Sequence, residues 1–298
     1  MGSKSSIEGV LTAVVTPMDQ NYGFNELGFR EQIERQIIAG NGIFCGGTNG
    51  EFFALTEAEK CAVVDVAVDQ AAKRVPVVGH VGEIATTQSI RAGRYVAAAG
   101  VDAVAVITPY FVPLSQQELV AHFSAIADAL EVPVYLYNIP ARTGNTIEPA
   151  TAAQLASHPN IVGIKDSAGS YESLQGFLAI AKDCHDFSVF NGPDHLIHQG
   201  FLDGCAGCVS GLANVAPREV QAVWSHFHAG DVVASEQAQK TVSRLREQLY
   251  KVAFAPAAVK RAVRLLGYPV GDSKYPTQIG PQQDAQISAI LAELNLRY

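Results

Sequence analysis

A lysine closes an apolar, strand-like run near the middle of the chain. Residues 161–165 read Ile-Val-Gly-Ile-Lys, and burying an ammonium group at such a position costs several kcal/mol unless the charge is paired. Burial also favours the neutral amine, which is a nucleophile for carbonyl carbons. Lys165 is therefore a candidate for a residue that forms an imine with its substrate. The alternative is a lysine paired with Asp166 or another acid, with no chemistry.

The run before it contains tyrosines at alternate positions and is followed by an arginine. Tyr135 and Tyr137 share one face of a strand because side chains alternate with a period of two. Tyr137 lies nearest the strand end, where a phenol can pass a proton to a reacting atom. The alternative is a core tyrosine bonded to a backbone carbonyl. Arg142 follows in a loop, where it can bind a substrate carboxylate with both arms of its guanidinium or remain a solvated surface residue.

A glycine-rich turn follows the second apolar run. Residues 46–51 read GGTNGE, and such a turn exposes backbone N–H groups that can hold an anion. Thr48 and Asn49 add side-chain hydrogen bonds. The turn is not a Walker A loop because no Gly-Lys-Ser/Thr follows it. A plain strand-to-helix turn is the alternative.

Metal and nucleophilic-triad chemistry have little support in the sequence. Cys205 and Cys208 have CxxC spacing, but they lie within a strand-like pattern and no second CxxC or matching histidine pair accompanies them. The histidines are scattered and give no Ser-His-Asp arrangement. We therefore predict no metal site.

Composition excludes several classes of protein. The 298 residues are 48% hydrophobic and 17% charged, which excludes a disordered chain and a short disulfide scaffold. The net charge of −8 has the wrong sign for a general nucleic-acid binder. Five cysteines, an N-terminus without an apolar segment and the lack of any apolar run of about 18 residues predict a reduced, cytoplasmic protein with no membrane contact.

Eight short apolar runs alternate with helix-like segments at intervals of roughly 30 residues, about one βα unit each. They are continuous rather than alternating, as in strands buried on both faces of a parallel sheet. Eight units favour a closed (β/α)8 TIM barrel, and the absence of GxGxxG after the first run argues against a Rossmann fold. The predicted strands are 10–16, 42–47, 75–81, 103–108, 132–137, 161–165, 187–191 and 204–210.

The predicted helices lie between the strands and in a C-terminal extension. Thr56 followed by Glu59 is a capping-box pattern at the start of the first clear helix. We predict a barrel that carries the active site over 1–215 and a helical region packed on it over 216–298. The clearest helices are 57–72, 116–130, 218–228, 233–252 and 257–266.

Together these segments resemble the dihydrodipicolinate synthase / N-acetylneuraminate lyase family of pyruvate-dependent class I aldolases. The likeness covers essentially the whole chain. It rests on GTNGE at 47–51, TPYF at 108–111, YNIP at 137–140, GIKD at 163–166 and GCVSGLAN at 207–214.

The resemblance implies a role for each matching residue. Lys165 would form the imine with the C2 carbonyl of a 2-oxo acid, and Tyr137 would transfer the proton. Thr48 and Asn49 would hold the pyruvyl carboxylate largely through backbone N–H groups, with the Thr48 hydroxyl touching Tyr137, and Val209 would pack beside the pyruvyl group. No metal or organic cofactor is implied, because the protonated imine is itself the electron sink. Its partners would be a small 2-oxo acid and an aldehyde, and the family is usually homotetrameric.

Departures from the family pattern bear on the second substrate. The synthase branch extends its proton relay with a tyrosine from a neighbouring subunit, and the corresponding residue here is Phe111. Ser210 and Gly211 resemble aldolases of 2-keto-3-deoxy sugar acids, where small residues leave room for a polyol tail. Arg142 stands where the synthase branch binds the semialdehyde carboxylate. Regulation by lysine is not expected, because the feedback positions read Phe52, Ile84 and Gln88.

The leading prediction is reversible cleavage of a 2-keto-3-deoxy sugar acid to pyruvate and an aldehyde. The alternative is 4-hydroxy-tetrahydrodipicolinate (dihydrodipicolinate) synthesis from pyruvate and aspartate semialdehyde. Dehydration or decarboxylation of a related keto acid, or a catalytically silent family member, also stays open.

Overall fold

The chain forms a closed barrel of eight parallel strands, which confirms the predicted (β/α)8 architecture. The structure is a computed structural model and describes residues 7–296. Strands pair in sequence order around the barrel. They are β1 Gly9–Ala13, β2 Gly42–Cys45, β3 Val77–His80, β4 Ala103–Ile107, β5 Val134–Asn138, β6 Ile161–Asp166, β7 Ser188–Asn191 and β8 Gly207–Ser210.

Helices follow the strands and continue beyond β8, as the predicted C-terminal extension requires. The helices between strands are α1 Glu26–Ala39, α2 Glu57–Ala71, α3 Thr86–Ala99, α4 Gln116–Asp128, α5 Pro140–Thr143, α6 Pro149–Ala156, α7 Tyr171–Asp183 and α8 Ile197–Asp203. Those after β8 are α9 Pro217–His228, α10 Val232–Val252, α11 Ala255–Leu265 and α12 Pro281–Glu293. Among the described residues, no helix is long and apolar enough to span a membrane.

The strands form where the chain is continuously apolar, because both faces of a barrel strand are covered. Every residue of β1, β4, β5 and β6 is buried. The predicted capping box opens α2, since the Thr56 side chain accepts from the backbone N–H of Glu59 and the Glu59 side chain accepts from Thr56 N–H. The core of the barrel therefore consists of apolar strand residues, and α2 begins at a capped residue.

Several predicted strands are longer than the observed ones. The clearest error is 204–210, because Gly204 has φ 103° and ends α8 in the left-handed conformation. Residues 204–206 therefore belong to the helix-to-strand turn, and β8 begins only at Gly207. An apolar turn between a helix and a buried strand has the same composition as the strand, so hydrophobicity alone does not mark its start.

The described chain divides into two compact units. One consists of the residues before Val10 together with Val78–Val209, and the other of Val10–Val77 together with the residues from Ser210 onward. We call these the central unit and the terminal unit. Within the terminal unit, α10 packs against α9 and α12 against α11. The predicted boundary between residues 215 and 216 stays a prediction.

Candidate active site

Lys165 lies one residue before the end of β6, in a fully buried strand. Its side chain is 5% exposed, and Nζ lies 3.9 Å from the centre of the Tyr137 ring. Tyr137 is also buried, one residue before the end of β5. An ammonium group over an aromatic face is stabilised by the ring quadrupole. The two residues predicted to carry the chemistry are therefore in direct contact.

This contact depends on an irregularity in the pairing of β5 with β6. Val134 pairs with Ile161, but Tyr135 pairs with Gly163, so β6 contains one extra residue at that point. Beyond it, Tyr137 pairs with Lys165. A shift of one residue turns every later side chain to the opposite face. Without this bulge, Lys165 would project from the other side of β6.

Gly163 is the residue type that the bulge requires. A Cβ atom at this position would lie 2.2 Å from the carbonyl oxygen of Ser188 and 2.7 Å from the ring of Tyr135. Both neighbours are parts of the barrel wall, so neither can move aside cheaply. The glycine thus allows the strand arrangement that brings Lys165 to Tyr137.

His80 is a neighbour of this pair that sequence reasoning missed. It ends β3 and is mostly buried. Its ring lies edge-on to Tyr137, with the two ring centres 6.0 Å apart and the planes at 88°. The available signal was its place at the carboxyl end of a strand, where barrel enzymes hold their active residues.

Asp166 occupies the last position of β6. Its Oδ1 accepts hydrogen bonds from Asn138 Nδ2 at 2.8 Å and from the backbone N–H of Ala168 at 3.2 Å. Burial raises the pKa of this carboxyl group. Successive strand residues project to opposite faces, so the Asp166 carboxylate faces away from the side of β6 that carries Lys165. Its role here is to join β5, β6 and the loop that follows.

The predicted glycine-rich turn lies in the terminal unit, directly after β2. The backbone N–H of Glu51 donates to the carbonyl of Thr48 at 3.1 Å, which closes the turn. Thr16 Oγ1 donates to the carbonyl of Gly50 at 2.7 Å. A Cβ atom at Gly50 would approach Thr16, Val14 and Gly46 within 3.3 Å. The turn that carries Thr48 and Asn49 is therefore closely packed at Gly50 against Val14, Thr16 and Gly46.

Asn49 lies beside Gly211, so two of the residues predicted to bind the substrate are neighbours. A Cβ atom at residue 211 would lie 2.8 Å from Asn49 Nδ2 and 3.2 Å from the Tyr250 hydroxyl. Asn49 Oδ1 is buried and has no hydrogen-bond partner within residues 7–296. Tyr250, from α10, was not predicted, because nothing in a helical sequence pattern indicates which distant turn it reaches.

The remaining predicted residues lie at or after strand ends. Val209 is buried in β8, and Ser210 ends that strand with its hydroxyl accepting from Ala213 N–H at 3.0 Å. Arg142 is exposed in the short helix α5. Phe111 is 92% exposed and has φ 75°, an uncommon backbone angle for an aromatic residue. The predicted contact of Thr48 with Tyr137 stays a prediction.

A family model for the dihydrodipicolinate synthetase family matches residues 6–293 of the chain. The protein belongs to this family. A 4-hydroxy-tetrahydrodipicolinate synthase of Methanopyrus kandleri is 36% identical, over 88% of this chain and 87% of its own length. An uncharacterised DapA-like lyase of Halobacterium salinarum is 34% identical, over 99% of this chain and 96% of its own.

Solved structures of dihydrodipicolinate synthase family proteins have the same fold. Dihydrodipicolinate synthase from Thermotoga maritima has a TM-score of 0.93 at 26% identity, covering 97% of this chain and 99% of its own. The Escherichia coli K12 prophage protein YagE, solved in complex with pyruvate, has a TM-score of 0.92 at 30% identity, covering 97% and 99%. The predicted family is therefore confirmed, and the protein is a lyase of this class I, pyruvate-dependent family. Members of the family act on pyruvate and an aldehyde.

Three of the five cysteines, Cys45, Cys205 and Cys208, are buried. Burial raises the pKa of the Cys45 thiol and of the Cys205 thiol to about 12, and that of Cys208 well above its usual range. A thiol held neutral is a poor nucleophile and a poor metal ligand. Within residues 7–296 no group of three or more His, Cys, Asp or Glu side chains has the arrangement of a metal site.

Proposed function

We propose that the protein is a Schiff-base-forming lyase that reversibly cleaves a 2-keto-3-deoxy sugar acid to pyruvate and an aldehyde. The observation that carries this proposal is the Lys165 Nζ atom, buried and 3.9 Å from the centre of the Tyr137 ring. A buried amine beside a phenol supplies a nucleophile for a carbonyl and a group that exchanges protons.

In the proposed reaction the neutral Lys165 amine attacks C2 of the keto acid. Tyr137 gives its phenolic proton to the resulting C2 hydroxyl, which leaves as water, so that a protonated imine and the Tyr137 phenolate remain. The C3–C4 electron pair then moves towards the imine nitrogen, which forms an enamine. The C4 hydroxyl gives its proton to the Tyr137 phenolate as the aldehyde departs, which restores the phenol. Tyr137 then protonates the enamine at C3, and hydrolysis of the protonated imine by one water returns a proton to Tyr137, releases pyruvate and restores the neutral lysine. The protein provides the electron sink itself, so the proposal needs no organic cofactor.

Binding is proposed to use residues of the glycine-rich turn after β2 and of β8. Backbone N–H groups of Thr48 and Asn49 hold the keto acid carboxylate, as N–H groups in a tight turn commonly do. Val209 is proposed to pack beside the pyruvyl group. These roles are carried over from the family by position, and substitution of each residue tests them.

Three features favour a sugar acid as the substrate. Asn49 Oδ1 is buried without a partner, and such an acceptor suits a ligand hydroxyl group. Gly211 beside it adds no side chain to the space that a polyol tail needs. Phe111, at the position of the relay tyrosine in the synthase branch, has no hydroxyl through which a proton can pass.

Product formation with a panel of aldehydes tests the proposal. Pyruvate consumption is measured with glyceraldehyde, glycolaldehyde, a longer sugar aldehyde and aspartate semialdehyde. We expect turnover with the sugar aldehydes and its loss in Lys165→Ala. Lys182→Ala removes an exposed lysine of α7 and is the matched control. Full activity of Lys165→Ala would rule out the imine mechanism.

The second candidate is synthesis of 4-hydroxy-tetrahydrodipicolinate from pyruvate and aspartate semialdehyde. It is favoured by Arg142, whose exposed guanidinium can bind a second carboxylate, and by the names of several relatives. A preference for aspartate semialdehyde that Arg142→Gln abolishes would establish this activity instead. A catalytically silent protein would give no borohydride-trapped pyruvate adduct on Lys165 in the folded wild type.

A further inference from the structure

Glu51 ends the turn that carries Thr48 and Asn49, and its backbone is in an unusual conformation. It has φ 58° and ψ 34°, the left-handed region that usually favours glycine. A residue with a side chain persists there only when its surroundings hold it in place. The contacts of the Glu51 side chain are the surroundings that hold this backbone.

The Glu51 carboxylate is fully buried and both of its oxygens have partners. Oε1 accepts from the ammonium group of Lys260 at 2.9 Å, and Oε2 accepts from the backbone N–H of Lys274 at 2.7 Å. Glu51 and Lys260 side chains are 0% and 1% exposed. The partners come from α11 and from the loop between α11 and α12, more than 200 residues further along the chain.

A buried ion pair of this kind contributes little net stability, because desolvation of both ions offsets their attraction. Burial accordingly lowers the pKa of Lys260, and the Glu51 carboxylate partly opposes that change. What the pair does provide is a defined position, since a charge that leaves its partner becomes an unpaired buried ion. The ion pair therefore fixes the position of Glu51, the residue that closes the 48–51 turn.

We infer that Lys260 and the backbone N–H of Lys274 act through Glu51 as positioning groups for the Thr48–Asn49 turn. The helices after the barrel strands thus set the affinity for the substrate carboxylate. This inference rests on the proposed function, in which that turn binds the carboxylate. Lys260 and Glu51 do not touch the substrate themselves.

Borohydride trapping of pyruvate on Lys165 tests the inference, because intact-mass measurement over a range of pyruvate concentrations separates binding from chemistry. Lys260→Met removes the charge at similar volume, and Glu51→Gln removes the opposite charge. We expect each to raise the half-saturating pyruvate concentration about tenfold or more, with the same maximal fraction of adduct. Lys251→Met, which breaks an exposed Lys–Glu pair on α10, is the matched control and should behave as wild type.

The double variant Glu51→Gln/Lys260→Met covers the case in which a single variant fails to fold, since it leaves no buried charge unpaired. Its half-saturating pyruvate concentration should still be raised, because the turn has lost the ion pair that fixes its end. A purely structural role predicts a lower melting temperature with unchanged half-saturation in the folded variants, and that result would overturn the inference alone. Absence of any adduct in wild-type protein would overturn the proposed function, and this inference with it.

Discussion

Gly211→Ala tests the proposed binding of a polyol tail most directly. The backbone at Gly211 has φ −79°, which alanine adopts without strain. The added methyl group, however, would stand 2.8 Å from Asn49 Nδ2 and 3.2 Å from the Tyr250 hydroxyl. Ordinary contacts begin at about 3.5 Å, so the Asn49 amide has to move by several tenths of an ångström.

The expected effect on folding is small and the effect on sugar-acid binding is larger. The obstacle is the end of a side chain and not backbone, so we expect a loss of about 1 kcal/mol in the free energy of unfolding, the low end for overpacking. Displacing an amide that binds a substrate hydroxyl removes about 1 kcal/mol of binding. With the methyl group occupying space as well, KM for the keto-deoxy sugar acid should rise about tenfold, which corresponds to about 1.4 kcal/mol.

Steady-state cleavage kinetics and borohydride trapping with pyruvate are the two assays. Pyruvate has no tail, so its half-saturating concentration in the trapping assay should change less than threefold. Gly280→Ala is the matched control, because a Cβ atom there meets only Gln283 Oε1, at 3.4 Å. An equal rise for pyruvate and the sugar acid, or no change in either, would refute the assignment of this space to the tail.

Three further predictions concern the catalytic pair, the barrel wall and the pH dependence of stability. Tyr137→Phe should still form the pyruvate adduct on Lys165. It should cleave the keto acid at least about a hundredfold more slowly, because a proton-transfer group typically contributes that much. Unchanged kcat would exclude Tyr137 as the proton carrier. Gly163→Ala should reduce the free energy of unfolding by about 3 kcal/mol or more, since its methyl group would lie 2.2 Å from the carbonyl oxygen of Ser188. Urea denaturation measures the free energy of unfolding, and a loss below about 1 kcal/mol would contradict the prediction. Burial lowers the pKa of His122 from 6.5 to about 4, so its contribution to stability is present above pH 6.5 and is lost as the pH falls towards 4, by about 3 kcal/mol in all. His122→Gln should flatten that part of the stability–pH profile, and identical profiles for variant and wild type would disprove the assignment.

The fold was predictable from sequence because its signals are local. The strands lie in short, largely apolar runs. The start of α2 is indicated by the four consecutive residues 56–59, which contain its capping box. Boundaries were less predictable where an apolar turn adjoins a strand, as at 204–206, because composition does not distinguish the two.

The candidate site was predictable only in part. Lys165, Tyr137 and the 47–51 turn stand out by residue type and by their place at strand ends. His80 was missed because one buried histidine at the end of a strand has many ordinary explanations. Its edge-on contact with Tyr137 exists only after β3 and β5 take their places in the barrel.

By itself the sequence determined the barrel, the chemistry class that Lys165 and Tyr137 allow, and the family. Tertiary structure alone decided how these residues meet. The extra residue in β6 places the Lys165 side chain on the same face of the sheet as the Tyr137 side chain. The register between two paired strands depends on both of them and is not contained in either sequence alone. Likewise, Glu51 pairs with Lys260 across 209 residues. No local pattern encodes such a contact, because it forms only when folding brings distant segments together and excludes water from both charges.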